Sequence, residues 1–462
     1  GVVAIDYRQH QEVANDDGFH DTSPPPTVHR RLNHHLTTTH TRSKPKAMAP
    51  TQQPRGGDDL GHVLVIGGNG FLGHHIVTQA LTSPKWSARA VTSVDLRCDK
   101  NRVAGAAYRE CDITDEPRLR ALFEELRPDV VIHTASPVAS GETKVARDLY
   151  KKVNVGGTAA VVAACQAAKV KALVYTSSAS VISDNESDLR NADERWPVIR
   201  GALQREYYSE TKVRDAYLLP TCLILSAVFP KTLAFAQWLT WTCDRACKAA
   251  AEELVIKANR QSPSNLVTTA LRPAGIFGEG DAQTLAGFLR SYRTGKTNIQ
   301  LGDNTNIFDF TYVGNVAHAH LLAARALLLT AGAATAPLDH ERVDGEVFFI
   351  TNDAPCYFWD FARAVWRAAG HDKGTEGVWT LSRGLGTTMG FASEVVFGIL
   401  QKPPTFTRQR AVMSTMTRYY NITKAKTVLR YEPPWTLQDG VDRGVAWFLE
   451  QDKKAAAAVK AQ

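Results

Sequence analysis

Cysteine is scarce in this chain and never falls in the close CxxC pairs that bind zinc. Its seven cysteines (Cys98, Cys111, Cys165, Cys222, Cys243, Cys247 and Cys356) are too few and too irregular for a disulfide framework in 462 residues, so reduced thiols are expected. Charge of one sign is also lacking: 54 basic against 47 acidic residues leave a thin +7, which gives no stripe for nucleic acid. The first 47 residues hold no hydrophobic run long enough for a signal peptide and no apolar period. They contain a proline run, Pro24 to Pro26, and histidines His29, His34, His35 and His40 whose spacing matches no ligand pattern, so no metal is expected. The first methionine is Met48, and residues 1–47 read as a disordered tail or as upstream sequence carried into the chain; with the polar stretch from Met48, residues 1–60 read as a disordered leader. The remainder, at 44% hydrophobic and 22% charged overall, is ordinary globular protein, for which length alone allows roughly three domains of about 150 residues each.

What is present starts at His62. A β-branched run, His62–Ile66, is followed by Gly67-Gly-Asn-Gly-Phe-Leu-Gly73 and an amphipathic stretch to Leu81. Strand, glycine turn and helix in that order let backbone amides approach a pyrophosphate, with Gly67, Gly70, Phe71, Leu72 and Gly73 around it and the positive end of the helix dipole behind. A second run, Ala90–Val94, ends at Asp95, where such a unit places an acid on the ribose hydroxyls. That carboxylate repels a 2′-phosphate, so NAD is favoured over NADP, a preference that Arg97 softens. Asp112 and Ile113 follow the third short strand and border the expected adenine position, with Thr114 or Asp115 as the next helix cap. A fourth strand, from Val130, runs into the small residues Ala135 and Ser136, as needed where backbone passes close to a cofactor. A helix is expected over Val153–Ala168 and a fifth strand over Lys171–Ser178. Strands alternating with helices at this spacing imply an α/β fold with a doubly wound parallel sheet of the Rossmann type.

The candidate catalytic residues come next. Tyr208-Ser-Glu-Thr-Lys212 sets a phenol and an ammonium one helical turn apart on one face. A tyrosine of pKa about 10 is a poor base near neutrality, and an adjacent cation favours its phenolate. Ser178, at the end of the preceding strand, is positioned to orient a substrate oxygen.

These motifs, with Tyr175-Thr-Ser-Ser178, Leu271-Arg-Pro-Ala-Gly-Ile-Phe-Gly-Glu-Gly-Asp281, Asp309-Phe-Thr-Tyr-Val-Gly-Asn-Val316 and Phe348-Phe-Ile-Thr-Asn-Asp353, resemble the extended short-chain dehydrogenase/reductases, and within them the 3β-hydroxysteroid dehydrogenase group. The resemblance runs from about residue 61 to about 450. A sugar-nucleotide epimerase would share the first three motifs but not the last. The resemblance implies NAD-dependent oxidation of the 3β-hydroxyl of a 4α-carboxysterol with loss of CO₂. In that reaction Tyr208 accepts the hydroxyl proton, Lys212 stabilises the phenolate and holds the nicotinamide ribose, and Pro273 to Ile276 lie beside the cofactor. It also implies a smaller C-terminal substrate lobe, mainly from residues 275–310 and 340–435. The expected partners are a sterol, the cytosolic face of the endoplasmic reticulum membrane, other sterol-demethylation enzymes and a second copy of the chain.

The resemblance breaks once, over Val213–Lys248. Joining Lys212 to Ala249 gives YSETK-AAAEELVIKAN, one continuous amphipathic helix. The 36 residues between carry three of the seven cysteines, Trp238, Trp241, Pro220 and Pro230, and do not continue a helix. A whole number of codons, a valine codon opening with GT and a lysine codon closing with AG suit a retained intron, and an interruption just past Lys212 would impair turnover. Leu385–Leu400 is apolar but too short to span a bilayer, and reads either as an interfacial segment beside Arg408 and Arg410 or as a buried helix over the substrate pocket. Residues 451–462 are expected to fray.

Overall fold

The computed structural model describes residues 58–137, 147–184, 186–199, 247–335, 337–400, 404 and 406–460. Its centre is a sheet of seven strands: β1 (His62–Ile66), β2 (Ala90–Asp95), β3 (Ala107–Glu110), β4 (Val130–His133), β5 (Ala172–Thr176), β6 (Val267–Pro273) and β7 (Val347–Ile350). Their spatial order is β3-β2-β1-β4-β5-β6-β7, and every neighbouring pair is parallel. The order reverses between β1 and β4, which opens a crevice at the carboxyl ends of those strands.

Both faces of the sheet are covered, which is why β1, β4 and β5 are buried at every position rather than alternating. Val63 and Val65 of β1 pack with Leu72, Ile76 and Ala317, from α1 (Phe71–Thr82) and a long helix, Val313–Gly332. Leu64 and Ile66 pack on the other face with Leu119 and Phe123 of α2 (Glu116–Leu126), Val161 of α3 (Thr158–Ala167), and Ala251 and Val255 of α4 (residues 247–257). The period-two alternation of one strand thus serves two separate layers of core.

The helices differ in extent from the sequence reading. The helix expected from Val153 starts at Arg147 and passes through a π-wound stretch, Lys151–Gly157, before α3. The long helix opens at Val313, directly after a short strand, Phe310–Tyr312. At the C-terminus, Leu437–Lys460 is one helix, so residues 451–460 are ordered where fraying was expected. At the other end, Asp58–Asp59 pairs with Trp86–Ser87, inside the expected leader.

Beyond β6, a second lobe holds a four-stranded sheet in the order Cys356–Tyr357, Ile307–Phe308, Arg418–Tyr420, Leu189–Ala192. The last strand comes from outside the ranges expected for this lobe. Phe308, Phe310, Phe358 and Phe361 cluster beside this sheet, and Phe310 stacks on Phe361 at 3.8 Å. Such stacked and edge-on rings add to the area they bury. Leu385–Leu400 folds as a helix, Arg383–Ile399, whose Leu385, Met389, Val396 and Ile399 side chains are exposed, contrary to the buried alternative. Its inner side is set by Gly386 against Leu301 and by Glu394, whose carboxylate accepts from Arg408 N and Nε at 2.9 Å each. Among the described residues, no helix is long and apolar enough to cross a membrane.

Candidate active site

The turn after β1 is built so that Gly67 and Gly73 have no substitutes. Gly67 has φ +80°, and a Cβ there would meet the Ala135 backbone nitrogen and Thr134 Oγ1 at 2.8 Å. Ala135 therefore lies against the turn, and β1 and β4 close to backbone contact at the reversal point. A Cβ on Gly73 would overlap the Gly67 carbonyl, so the first turn of α1 sits on the loop itself. Gly70 precedes α1 without a side-chain cap, and no acidic residue enters the first turn. Helix-start amides and a positive dipole end thus face the crevice. Phe71 is half-buried and Leu72 buried, the latter in the core under the turn.

Asp95, at the end of β2, holds the same turn from the side. Its Oδ2 accepts from Asn69 N at 3.0 Å and its Oδ1 from Leu96 N at 2.8 Å. Burial pushes its carboxyl above the usual aspartate range, against the pull of the amides of Leu96, Asn69, Gly70 and Arg97. Cys111 N donates to Asp95 O, which brings Asp112 next to this strand end; Asp112 itself is exposed and caps Thr114 N at 2.8 Å. Asp115 takes the expected helix-cap role, accepting from Arg118 N. Ile113 is buried so closely against Gly157 that a Cβ on that glycine would lie 2.6 Å from it. Ser136 is half-buried and donates to Asn154 Oδ1 at 3.0 Å. The described geometry thus gathers Gly67, Gly70, Gly73, Asp95, Ala135 and Asp112 around one crevice.

The other half of the site is less complete. Tyr208 and Lys212 lie outside the described residues, as does most of Val213–Lys248. Ser178 is half-buried just past β5, where its Oγ accepts from Ser180 N at 3.1 Å and contacts Ser180 Oγ at 2.9 Å. Pro273 is not in a turn after β6 but is its last residue, paired with Ile350. This lies beyond the register shared with β5, where a missing amide hydrogen costs the ladder nothing. Ile276 comes next, in a short strand, Gly275–Phe277, against Phe310–Tyr312.

Several residues that sequence reasoning did not single out converge at the ends of β4 and β5. Lys248, the second residue of α4, is only 8% exposed, and its Nζ donates to Thr176 O at 3.2 Å and lies 5.4 Å from the Tyr175 ring centre. His133, fully buried at the end of β4, contacts Thr158 Oγ1 at 3.1 Å and stays neutral, its pKa pushed down to about 3 by burial and by the Lys248 charge. His320 is also buried and neutral, pushed down to about 4. Its Nδ1 faces Val316 O at 2.8 Å and so carries the proton, leaving Nε2 to accept from Thr176 Oγ1 at 2.7 Å. One turn beyond Lys248, Glu252 takes a bidentate pair of bonds from Arg272 of β6, at 2.9 and 2.6 Å, with both side chains buried. That pair fixes the rotation of α4 against the sheet. The signal for Lys248 was present in the sequence: a lysine stands before the break and another at its end.

A doubly wound sheet with this strand order, a glycine cradle at its reversal point and an acid at the end of β2 defines a nicotinamide-dinucleotide enzyme of the extended short-chain dehydrogenase/reductase fold. Solved structures agree on the fold. The UDP-glucose 4-epimerase of Thermotoga maritima matches with a TM-score of 0.55 at 20% identity, over 84% of this chain and 99% of that one. The dTDP-glucose 4,6-dehydratase of Bacillus anthracis, in complex with NAD, matches at 0.54 and 15% identity, over 85% and 97%. The model of the 3-beta hydroxysteroid dehydrogenase/isomerase family matches residues 64–218 and 238–382, and the chain belongs to that family. The match is interrupted inside 213–248. Among curated relatives, the decarboxylating sterol-4-alpha-carboxylate 3-dehydrogenase of Schizosaccharomyces pombe is 39% identical over 86% of this chain and 99% of its own length. The Saccharomyces cerevisiae enzyme of that name is 38% identical over 84% and 98%, and the human one 29% over 92% and 98%.

Proposed function

We propose that the chain oxidises the 3β-hydroxyl of a 4α-carboxysterol with NAD, the product then losing CO₂ to leave a 3-ketosteroid. The observation that carries this reading is the near-full-length identity to fungal enzymes named for that reaction, on a chain whose glycine cradle suits a dinucleotide. The cofactor would rest on Gly67, Gly70 and Gly73, with its adenosine ribose at Asp95, adenine by Asp112 and Ile113, and its nicotinamide half towards Ala135, Ser136, Pro273 and Ile276. A carboxylate at Asp95 favours the ribose diol over a 2′-phosphate, which supports NAD over NADP. When bound, the nicotinamide supplies the acceptor for the hydride leaving C3.

The chain's own part is proton transfer and orientation. Tyr208 takes the hydroxyl proton as a phenolate beside an ammonium, and Ser178 holds the oxygen. The resulting β-keto acid breaks its C4–carboxyl bond as the electron pair passes into the new carbonyl, and a proton returns to C4. This second step belongs to the substrate's chemistry. The exposed apolar side of Arg383–Ile399, close to Arg408, suits a helix lying in a membrane interface, where sterols are found.

Product analysis tests the reading, with NAD supplied to the full-length chain and to one lacking residues 213–248. The shortened chain is expected to convert a 4α-carboxysterol to ketone and CO₂ and to leave UDP-hexose unchanged. Epimerised UDP-hexose, or ketone formed only from sterols without the carboxylate, would overturn it.

A further inference from the structure

Two lysines precede the same run of residues. Removing Val213–Lys248 joins Lys212 to Ala249, and removing Lys212–Cys247 joins Thr211 to Lys248, yet both give YSETKAAAEELVIKAN. Sequence alone cannot choose between the two lysines, but α4 does. It includes Lys248, and the Glu252–Arg272 pair one turn later fixes the helix so that this lysine points under the sheet edge. There its ammonium is bonded to the last carbonyl of β5 and sits beside neutral His133 at the end of β4, on the side where the crevice opens. A charge at 8% exposure is tolerated only where polar groups gather around it, and this one lies at the carboxyl ends of two central strands.

We propose that in the full-length chain Lys248, and not Lys212, supplies the ammonium of the cofactor site. The phenol does not come with it. Tyr208 is 40 residues before Lys248, and the position four before it, where a helix would present a partner, is Asp244. By sequence no tyrosine stands one helical turn before Lys248, so the full-length chain is expected to hold the nicotinamide ribose through this lysine and to turn over sterol more slowly than the chain lacking residues 213–248. This inference rests on the nicotinamide site proposed for the chain.

The test is NADH binding to the full-length chain, monitored by fluorescence. Lys248→Met is expected to weaken NADH at least tenfold, and at least fivefold more than Lys212→Met does. Melting temperature without ligand, together with Lys248→Gln, which keeps a donor to Thr176 O, separates loss of the charge from loss of the fold. In the chain lacking residues 213–248, the remaining lysine must carry the whole effect, and sterol turnover must appear. A larger loss from Lys212→Met in the full-length chain, or sterol turnover by that chain as fast as by the shortened one, overturns the proposal while leaving the cofactor reading intact. Failure of both chains to bind NADH would instead remove the cofactor reading itself.

Discussion

The glycine turn after β1 and the crossover from β5 to β6 meet at one sheet edge, but the chain builds them in opposite ways. The turn is local: Gly67, Gly73, Asp95 and Ala135 lie within one unbroken stretch and are held by backbone contacts. The crossover is assembled from afar, with Thr176, Lys248, Glu252, Arg272 and His320 meeting only in the folded state. A foreign segment inside the first would abolish it. Inside the second, the residues downstream of the break, Lys248 and Glu252, keep their bonds to the sheet. On the reading proposed above, cofactor binding and proton transfer are encoded by different kinds of chain segment.

The sharpest way to break that contrast is at the crossover. Glu252→Gln leaves the Arg272 charge buried without its carboxylate, and is expected to destabilise the chain by about 3–5 kcal/mol in urea unfolding. A loss below about 1 kcal/mol would mean that α4 is held by something other than this pair. Acid should act next. His133 and His320 are neutral when folded, with pKa values of about 3 and about 4, against about 6.5 when unfolded. Below about pH 6.5 the unfolded chain binds protons that the folded one refuses, so stability present above that pH is lost as pH falls towards 4. Protection against hydrogen exchange at β4 and β5, taken relative to the intrinsic rate at each pH, should fall between pH 6.5 and 5 by the equivalent of about 2–4 kcal/mol. Unchanged exchange there would show that these histidines are not held neutral. Asp95 carries the reverse sign, since burial raises its pKa and folding tolerates its protonation. The smallest effect is expected at the turn: Asp95→Asn removes the charge that opposes a 2′-phosphate, and should shift the NAD to NADP preference about tenfold towards NADP, about 1.4 kcal/mol. An unaltered ratio of NADH to NADPH affinities would place the discrimination elsewhere.

The same division decides how much was legible beforehand. Every strand of the central sheet except β3 lies in an apolar or β-branched run, and the cradle could be read because its glycines, acid and small residues are spaced along the sequence as they are used. The limits of helices were less clear. Nothing in Asn154, Gly156 and Gly157 announces that a helix begins at Arg147 and passes through π-wound turns. Pro273, expected only as a neighbour of the cofactor, closes β6 where β5 no longer asks for a donor. The buried triad of Val316, His320 and Thr176 left no local trace, since two histidines two residues apart on a helix do not face each other and suit packing or surface equally until the sheet is placed beneath them. Lys248 was hidden differently, by a repeat of one residue at both ends of the interruption.

The Glu252–Arg272 pair has a consequence for how such a chain can vary. Because α4 takes its rotation from the Glu252–Arg272 pair, the helix is indexed from within, and the position of Lys248 works as a joint. Any upstream segment ending in lysine can be spliced there without shifting the rest of the helix by a single residue. Alternative messages that differ only before this joint would yield proteins of one architecture, some able to turn over substrate and some able only to hold the cofactor.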